Sequence, residues 1–269
     1  MPVNLIYQHG SDQVAGAATV TVGLGTEDPE YPVAGLTDGN PAKPAKLLET
    51  SGAWLFDFGA AQRVDAVAIP HHNLTAGLEV RIQGNAANVW GAPTFNQAIT
   101  IPTWRGDGWP IGPWLDLTGL AGYAVGGFQY WRLIVVGVNA APVALGQVWL
   151  GETLRTLSPN ISWGARDGEA HKITEHETDF GVVLSYDFGL LRRTLAGDLD
   201  APDATRTAVL NWWRSTNGRA RPFIIVPDGT INEALMVRWA TSDIQTILDL
   251  TDRNTMQLAF QEVSRGLPF

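Results

Sequence analysis

The chain has 269 residues, of which 45% are hydrophobic and 17% charged, with a formal net charge of −9 and no cysteine. This composition provides enough apolar material for packed cores and argues against disorder. The excess of carboxylates over basic side chains argues against a nucleic-acid-binding protein. The lack of cysteine rules out disulfides, thiolate metal sites and a cysteine nucleophile.

The first residues, MPVNLIYQHGSDQ, have neither the basic start nor the apolar run of a signal peptide. No stretch reaches the roughly 20 apolar residues that span a bilayer. We therefore expect a protein that is made in a cytoplasm and does not insert into a membrane. Residues 1–20 are predicted to be an N-terminal segment that pairs either with the domain that follows it or with the second domain.

Residues 21–153 are predicted to form a β-sandwich, because glycine and proline divide them into short runs with strand-like patterns. Aromatic residues alternate with other residues in WLFDFG, and apolar residues alternate with polar ones in LEVRIQ. The apolar run QYWRLIVVG and the following LGQVWLGE are predicted to be a central strand and its closing neighbour.

Paired histidines, His71 and His72, end the predicted strand VDAVAIPHHN. Adjacent residues of a strand point to opposite sides, so the two imidazoles are poorly placed to share one metal ion. We interpret them as a polar exit from strand to loop. His171 and His176 lie among acidic residues without a standard ligand spacing, and we interpret that stretch as a solvated charged surface.

The tryptophan-rich stretch VWGAPTFNQAITIPTWRGDGWPIGPWLDL is the main candidate for a binding site. Aromatic residues in loops at the end of a sandwich can stack on sugar rings, and neighbouring polar groups can bond to hydroxyls. The alternative is that these tryptophans hold a long loop against its own domain. The candidate ligand-binding residues are Trp90, Trp104, Arg105, Asp107, Trp109 and Trp114.

Residues 154–269 are predicted to form a second, strand-rich domain with one helix near 203–217. The segment DAPDATRTAVLNWWRSTNG offers Asp200 or Asp203 as the N-cap, a proline near the first turn and an Asn-Gly stop. Trp212 and Trp213 fall on adjoining faces of this helix and are interpreted as core or assembly residues.

Catalytic motifs are not evident in the sequence. There is no G-x-S-x-G nucleophile elbow, and most carboxylates lie in turns such as TEDPE and LTDGNP, where they usually bond to backbone groups. We therefore predict that the protein is not an enzyme and needs no cofactor. A glycan hydrolase with two carboxylates far apart in sequence remains an alternative.

The first half resembles a known family. LTDGNPAKPAK, WLFDFGAAQRVDAVAIPHHN, YWRLIVVG and LGQVWLGE together resemble the discoidin-type, galactose-binding-like jelly roll over about Ala34 to Glu152. Sugar-binding or calcium-binding members often continue the "DG" loop into a Thr-x-Trp segment, but AKPAKLL stands there in this chain. This departure argues against a calcium site at Asp38 and Asn40 and against carbohydrate binding by analogy.

The sequences VDAVAIPHHN and VWLGE are similar to those of this jelly roll in tail proteins of long-tailed bacteriophages. ATRTAVLNWWRSTNGRARPFIIVPDG and the terminal LAFQEV resemble the tail-tube-like domain of phage distal-tail and minor-tail proteins, over about Asn160 to Phe269. The resemblance implies a mainly β structural protein of the virion, assembled in the cytoplasm of the bacterial host.

The function expected from this resemblance is that of a ring-forming distal tail or tail-tip adaptor protein. Its partners would be copies of itself in a homo-oligomer such as a hexamer, and other tail proteins such as the tail tube and hub. Two alternatives remain open. One is a glycan-binding module that recognises the host surface, and the other is the glycan hydrolase.

Overall fold

The computed structural model describes residues 4–9, 18–103, 111–156, 162–177, 183–217, 220–226, 233–240, 246–248 and 253–263. The described residues fall into two compact units, divided as 1–157 with 223–236, and 158–222 with 237–267. No helix in this part of the chain has the length and apolar character needed to cross a bilayer.

Most of the described residues lie in strands. The strands of the first half are β1 (Asn4–His9), β2 (Thr19–Leu24), β3 (Ala45–Lys46), β4 (Gly52–Gln62), β5 (Ala66–His72), β6 (Glu79–Asn85), β7 (Phe95–Thr100), β8 (Trp114–Asp116), β9 (Phe128–Val135) and β10 (Ala144–Thr156). The later elements are β11 (Ser162–Glu177), β12 (Val183–Pro202), α1 (Asp203–Ser215), β13 (Phe223–Val226), β14 (Leu235–Trp239), β15 (Thr246–Leu248) and β16 (Arg253–Glu262).

The first unit contains two antiparallel sheets. One has five strands in the order β2-β4-β9-β6-β7. In the other, β10 pairs with β1, β3 and β5, while β5 also pairs with β8 and β1 with β13. A shared hydrophobic core contains residues from both sheets, including Trp54 and Trp131 from the first and Ile69 and Leu150 from the second. The predicted β-sandwich is therefore confirmed.

The core of this sandwich also fixes the path of β6. Gly84 faces the core, and a Cβ atom placed there would lie 2.5 Å from Cδ2 of Phe128. Phe128 and Phe95 both pack against Trp131, with ring centres 5.4 and 5.8 Å away respectively. A glycine is therefore required where β6 crosses the aromatic cluster, and its neighbour Gln83 is placed on the outer face.

The second unit combines a sheet with the helix α1. Strand β16 lies between β12 on one side and β14 and β15 on the other, and β11 pairs with β12. Trp212 of α1 is buried against Trp239 and Phe260, with ring centres 4.5 and 5.9 Å apart. The mainly β fold with one α-helix in the described residues agrees with the sequence prediction.

The ends of α1 differ in how well the sequence predicts them. Asn217 adopts a φ of 51°, the left-handed geometry that commonly follows a helix, as the Asn-Gly stop indicates. Neither candidate aspartate is the N-cap, because Pro202 ends strand β12 and precedes the helix directly. Asp203 instead lies in the first turn, where its negative charge interacts favourably with the positive end of the helix dipole.

Candidate ligand-binding face

Strand β7 divides the tryptophan-rich stretch, so the prediction of one long loop is wrong. Phe95 and Ile99 point into the core while the residues between them are more exposed, which is the pattern of an edge strand. Trp90 lies in the loop from β6 to β7, whereas Trp114 is buried in β8 of the opposite sheet. The remaining four candidates lie outside the described residues: Trp104, Arg105, Asp107 and Trp109.

Trp90 packs on a basic side chain from the centre of the five-stranded sheet. Cζ of the Arg132 guanidinium lies 4.5 Å from the centre of the Trp90 ring, which is the geometry of a cation–π contact. The indole nitrogen of Trp90 donates to Oδ1 of Asn88 at 2.7 Å. One face of the half-buried ring is thus covered by the guanidinium, and the edge of the ring is fixed by its own loop.

The loop that carries Trp90 is held closed by Asn85 at the end of β6. Nδ2 of Asn85 donates to the carbonyl of Val89 at 2.7 Å, and its Oδ1 accepts from the Thr94 hydroxyl at 3.0 Å. These bonds join the middle and the end of the loop to the sheet. Trp90 is therefore positioned by local bonds, independently of any ligand.

A row of polar side chains crosses the outer face of the sheet at Arg132. The strand registers align Arg132 of β9 with Gln83 of β6 and Asn96 of β7. Nε of Arg132 donates to Oε1 of Gln83 at 2.8 Å, and Nε2 of Gln83 donates to Oδ1 of Asn96 at 3.1 Å. Gln83 is only 6% exposed. The guanidinium is therefore held in place by a buried amide that is itself held by a second amide.

Tyr130 extends this surface by one row. It lies two residues before Arg132 on the same face of β9, and its register partners are Asp57 and Asn85. Oδ1 of Asp57 accepts from Nε2 of Gln129 and from the backbone of Gly59. We call the surface formed by Trp90, Arg132, Gln83, Asn96 and Tyr130 the arginine face.

The positive charge of Arg132 has no ion-pair partner among the described residues. Burial lowers the pKa of its guanidinium, although the group remains protonated at any physiological pH. No described carboxylate lies within ion-pair distance of Arg132. By contrast, Arg81, on the same face of β6, forms an ion pair with Glu79. Both arginines bond through Nε, but Arg132 is the one whose charge is not paired with a described carboxylate.

The loop with Asp38 and Asn40, where the sequence argues against a calcium site, has a different arrangement. Asp38 and Asn40 accept bonds from backbone groups two residues further on. The side-chain amide of Gln147, which is 1% exposed, donates to the Gly35 carbonyl at 2.8 Å and to Oδ1 of Asp38 at 3.0 Å. Two oxygens that could contact a cation therefore already bond to an internal donor. The expectation that Asp38 and Asn40 do not form a calcium site stays a prediction.

His71 and His72 both lie inside the protein, where β5 ends. Nε2 of His72 lies 3.0 Å from the Ile111 carbonyl, and its Nδ1 accepts from the backbone of Leu74 at 3.0 Å, so Nε2 carries the proton. Burial lowers the pKa of His72 from 6.5 to about 4. His72 is thus a neutral side chain that fixes the exit from the strand, in agreement with the interpretation of the sequence.

Trp212 and Trp213 have different surroundings. Trp212 is 2% exposed and belongs to the core of the second unit. Trp213 is half-buried on α1. The assembly role predicted for them remains a prediction.

The most informative residue of the arginine face, Arg132, was not among the predicted site residues. It interrupts the run QYWRLIVVG, whose other residues are mostly apolar. A strand buried on both faces has no place for a guanidinium, so this arginine was the available signal that one face of β9 meets water. Gln83 was predicted to lie on the wet face of its strand.

No protein-family model and no curated protein matches the chain. Similar solved structures include a fucose-binding module of Streptococcus pneumoniae, with 13% identity over 53% of this chain and 96% of the module, at a TM-score of 0.38. A chitosan-binding module of a chitosanase/glucanase from Paenibacillus sp. IK-5 has 18% identity over 53% of this chain and 97% of its own, at 0.38.

The lectin domain of lectinolysin, in complex with Lewis B antigen, has 13% identity over 53% of this chain and 98% of its own, with a TM-score of 0.39. At such identities and TM-scores, none of these proteins indicates what the present chain binds. What the first unit could bind is therefore argued from the residues of the arginine face.

Proposed function

We propose that the first unit binds a glycan on the arginine face. The observation that carries this proposal is the guanidinium of Arg132, which is stacked on Trp90, bonded to Gln83 and without a carboxylate partner among the described residues. Fixed donors beside aromatic rings suit a sugar, whose hydroxyls need hydrogen bonds and whose C–H faces pack on aromatic surface.

Preorganisation of the arginine face supports the same function. A binding site loses less affinity to conformational entropy when its side chains are already ordered. Asn85 fixes the Trp90 loop, and the bonds from Arg132 through Gln83 to Asn96 order the row next to it. A ligand would therefore meet a surface that needs little rearrangement.

The proposal is tested by affinity gel electrophoresis of the full chain against a panel of neutral and acidic polysaccharides. We expect at least one polysaccharide to retard the wild type, and Trp90→Ala to abolish the retardation because it removes the aromatic surface. Val125→Ala is the matched control, since Val125 is an exposed apolar residue in a different loop. Equal mobility on every polysaccharide, or retardation unaffected by Trp90→Ala, would contradict the proposal.

A second candidate function is that of a structural protein at the tip of a phage tail, in a ring of identical copies. One observation favours it besides the resemblance of the sequence. Strands β11 and β12 pair as far as Glu177 and Val183, whereas β16 pairs with β12 only from Thr194 to Pro202. In the described residues, the outer part of this hairpin is a two-stranded ribbon without a third strand.

Such a ribbon favours assembly, because an isolated two-stranded hairpin is only marginally stable in water and leaves both backbone edges open to pairing. Neighbouring copies or other tail proteins would cover these edges. The test is antibody labelling of the phage particles released by cells that encode this chain, viewed by negative-stain electron microscopy. Label at the tail tip is expected, and unlabelled tails would contradict this function.

The predicted lack of enzymatic activity stays a prediction.

A further inference from the structure

We propose that the ligand of the arginine face is a glycan that carries carboxylate groups, such as a polymer of uronic or sialic acid. This inference rests on the proposed glycan-binding function and names the class of sugar. It derives from the bonding state of Arg132 and from the contrast with the other arginine on the same face.

The donors of Arg132 are only partly used. Its Nε bonds to Gln83, and its guanidinium plane stacks on Trp90, which leaves the two Nη groups as donors. A half-buried charge is costly unless it is paired, and no described carboxylate pairs with it. A carboxylate on the ligand would accept from this planar fork and supply the missing charge.

The acidic side chains on the same face are bonded to other groups and do not pair with Arg132. Two acidic residues of the same face have partners of their own: Glu79 is paired with Arg81, and Asp57 accepts from Gln129 and Gly59. Arg81 already has its carboxylate within its own strand, so an acidic sugar gains less there. The protein as a whole is acidic, with a net charge of −9, so binding of an acidic polymer would depend on local donors such as those of Arg132 and not on general electrostatic attraction.

The row from Arg132 to Asn96 adds geometric selectivity. Because Gln83 holds Nε and Trp90 covers one face, the guanidinium cannot turn freely to follow a ligand. A planar carboxylate that approaches the Nη edge can form two parallel bonds, whereas a single hydroxyl can form only one. A lysine at this position would keep the charge and lose the paired geometry.

The experiment measures binding of the full chain to four acidic polysaccharides by isothermal titration calorimetry. The probes are polygalacturonate, alginate, hyaluronan and colominic acid, and each is compared with its carboxyl-reduced, neutral derivative. We expect at least one acidic probe to bind about 10- to 100-fold more tightly than its reduced form, the range of a charge-assisted bond pair. Arg132→Gln should lower the affinity to that of the reduced form, and Arg132→Lys, which keeps the charge without the paired geometry, should lower it to an intermediate value.

Arg81→Gln is the matched control, because it removes the same charge from the same face without touching Arg132. We expect it to keep the preference for the acidic probe, and equal losses in Arg81→Gln and Arg132→Gln would overturn the inference in favour of a diffuse charge effect. Thermal unfolding of each variant checks that it is folded, and Arg132→Lys provides the milder change.

The remaining outcomes separate the two proposals. If acidic and reduced probes bind equally and Trp90→Ala abolishes both, the carboxylate inference fails and the glycan-binding function stands. If no acidic probe binds while a neutral polysaccharide retards the protein, the inference fails in the same way. If no polysaccharide of either kind binds, both proposals fail.

Discussion

The loop around Asp38 and the arginine face differ in whether their polar groups are satisfied from within the protein. At the loop, the amide of Gln147 bonds to two oxygens that could contact a cation, the Gly35 carbonyl and Oδ1 of Asp38. On the arginine face, Arg132 keeps donors for which the described residues offer no carboxylate. The sequence motifs pointed to the loop and not to Arg132. The residue types in a motif are therefore a weaker guide to a ligand site than the hydrogen-bond donors and charges that the folded protein leaves unpaired.

The largest effect on stability is expected from His72, whose two nitrogens are both used inside the protein. Its pKa is about 4 in the folded state against 6.5 for the free side chain, because burial disfavours the charged form. The unfolded chain therefore binds the extra proton first as the pH falls. The stability from neutral His72 is complete above pH 6.5 and is lost between pH 6.5 and about 4, by about 3 kcal/mol.

Urea denaturation at pH 7, 6, 5 and 4 measures this loss. Other groups also titrate in this range, so the wild type is compared with His72→Gln, whose side chain does not titrate. The free energy of unfolding of the variant should fall less steeply between pH 6.5 and 4, whatever its value at pH 7. Parallel curves for the two proteins would show that His72 is not buried as a neutral group.

Gln147→Ala is expected to have the next largest effect, a loss of about 1–3 kcal/mol in the free energy of unfolding. The substitution leaves the buried Gly35 carbonyl without its side-chain donor and removes one of the two donors to Oδ1 of Asp38, which keeps its bond from the Asn40 backbone. Gln97→Ala is the control, since Gln97 makes a single exposed bond to the Ala121 carbonyl. Equal losses in the two variants, measured by urea denaturation, would show that the loop does not depend on the internal amide.

Arg132→Gln should change the free energy of unfolding by less than about 1 kcal/mol. The substitution removes a cation–π contact worth about 0.5–1 kcal/mol, but it also removes an unpaired, half-buried charge that is costly to keep. A residue whose donors serve a ligand need not stabilise the free protein. A loss above about 2 kcal/mol in urea denaturation would instead make Arg132 a structural residue, comparable to Gln147.

The sequence predicted the sandwich strands because apolar and polar residues alternate where one face meets water, as in LEVRIQ. It also predicted helix α1 and its end at Asn217, since these signals are local. The pairing of β13 with β1 could not be predicted, because nothing in either segment encodes a partner more than 200 residues away. The arginine face was missed for a similar reason, since the register of three strands brings its members together.

The smallest effect expected is that of calcium on the wild type, and a single substitution should make the protein respond to it. Millimolar calcium should shift the midpoint of thermal unfolding by less than about 1 °C, because Gln147 already bonds to the oxygens of the loop. Gln147→Glu replaces the donor by a carboxylate next to Asp38 and the Gly35 carbonyl, a set of oxygens that suits calcium. This variant should be less stable than the wild type without calcium and should regain about 1 kcal/mol in its presence. A wild type stabilised as strongly as the variant would mean that the loop binds calcium despite the internal amide, and the contrast with the arginine face would disappear.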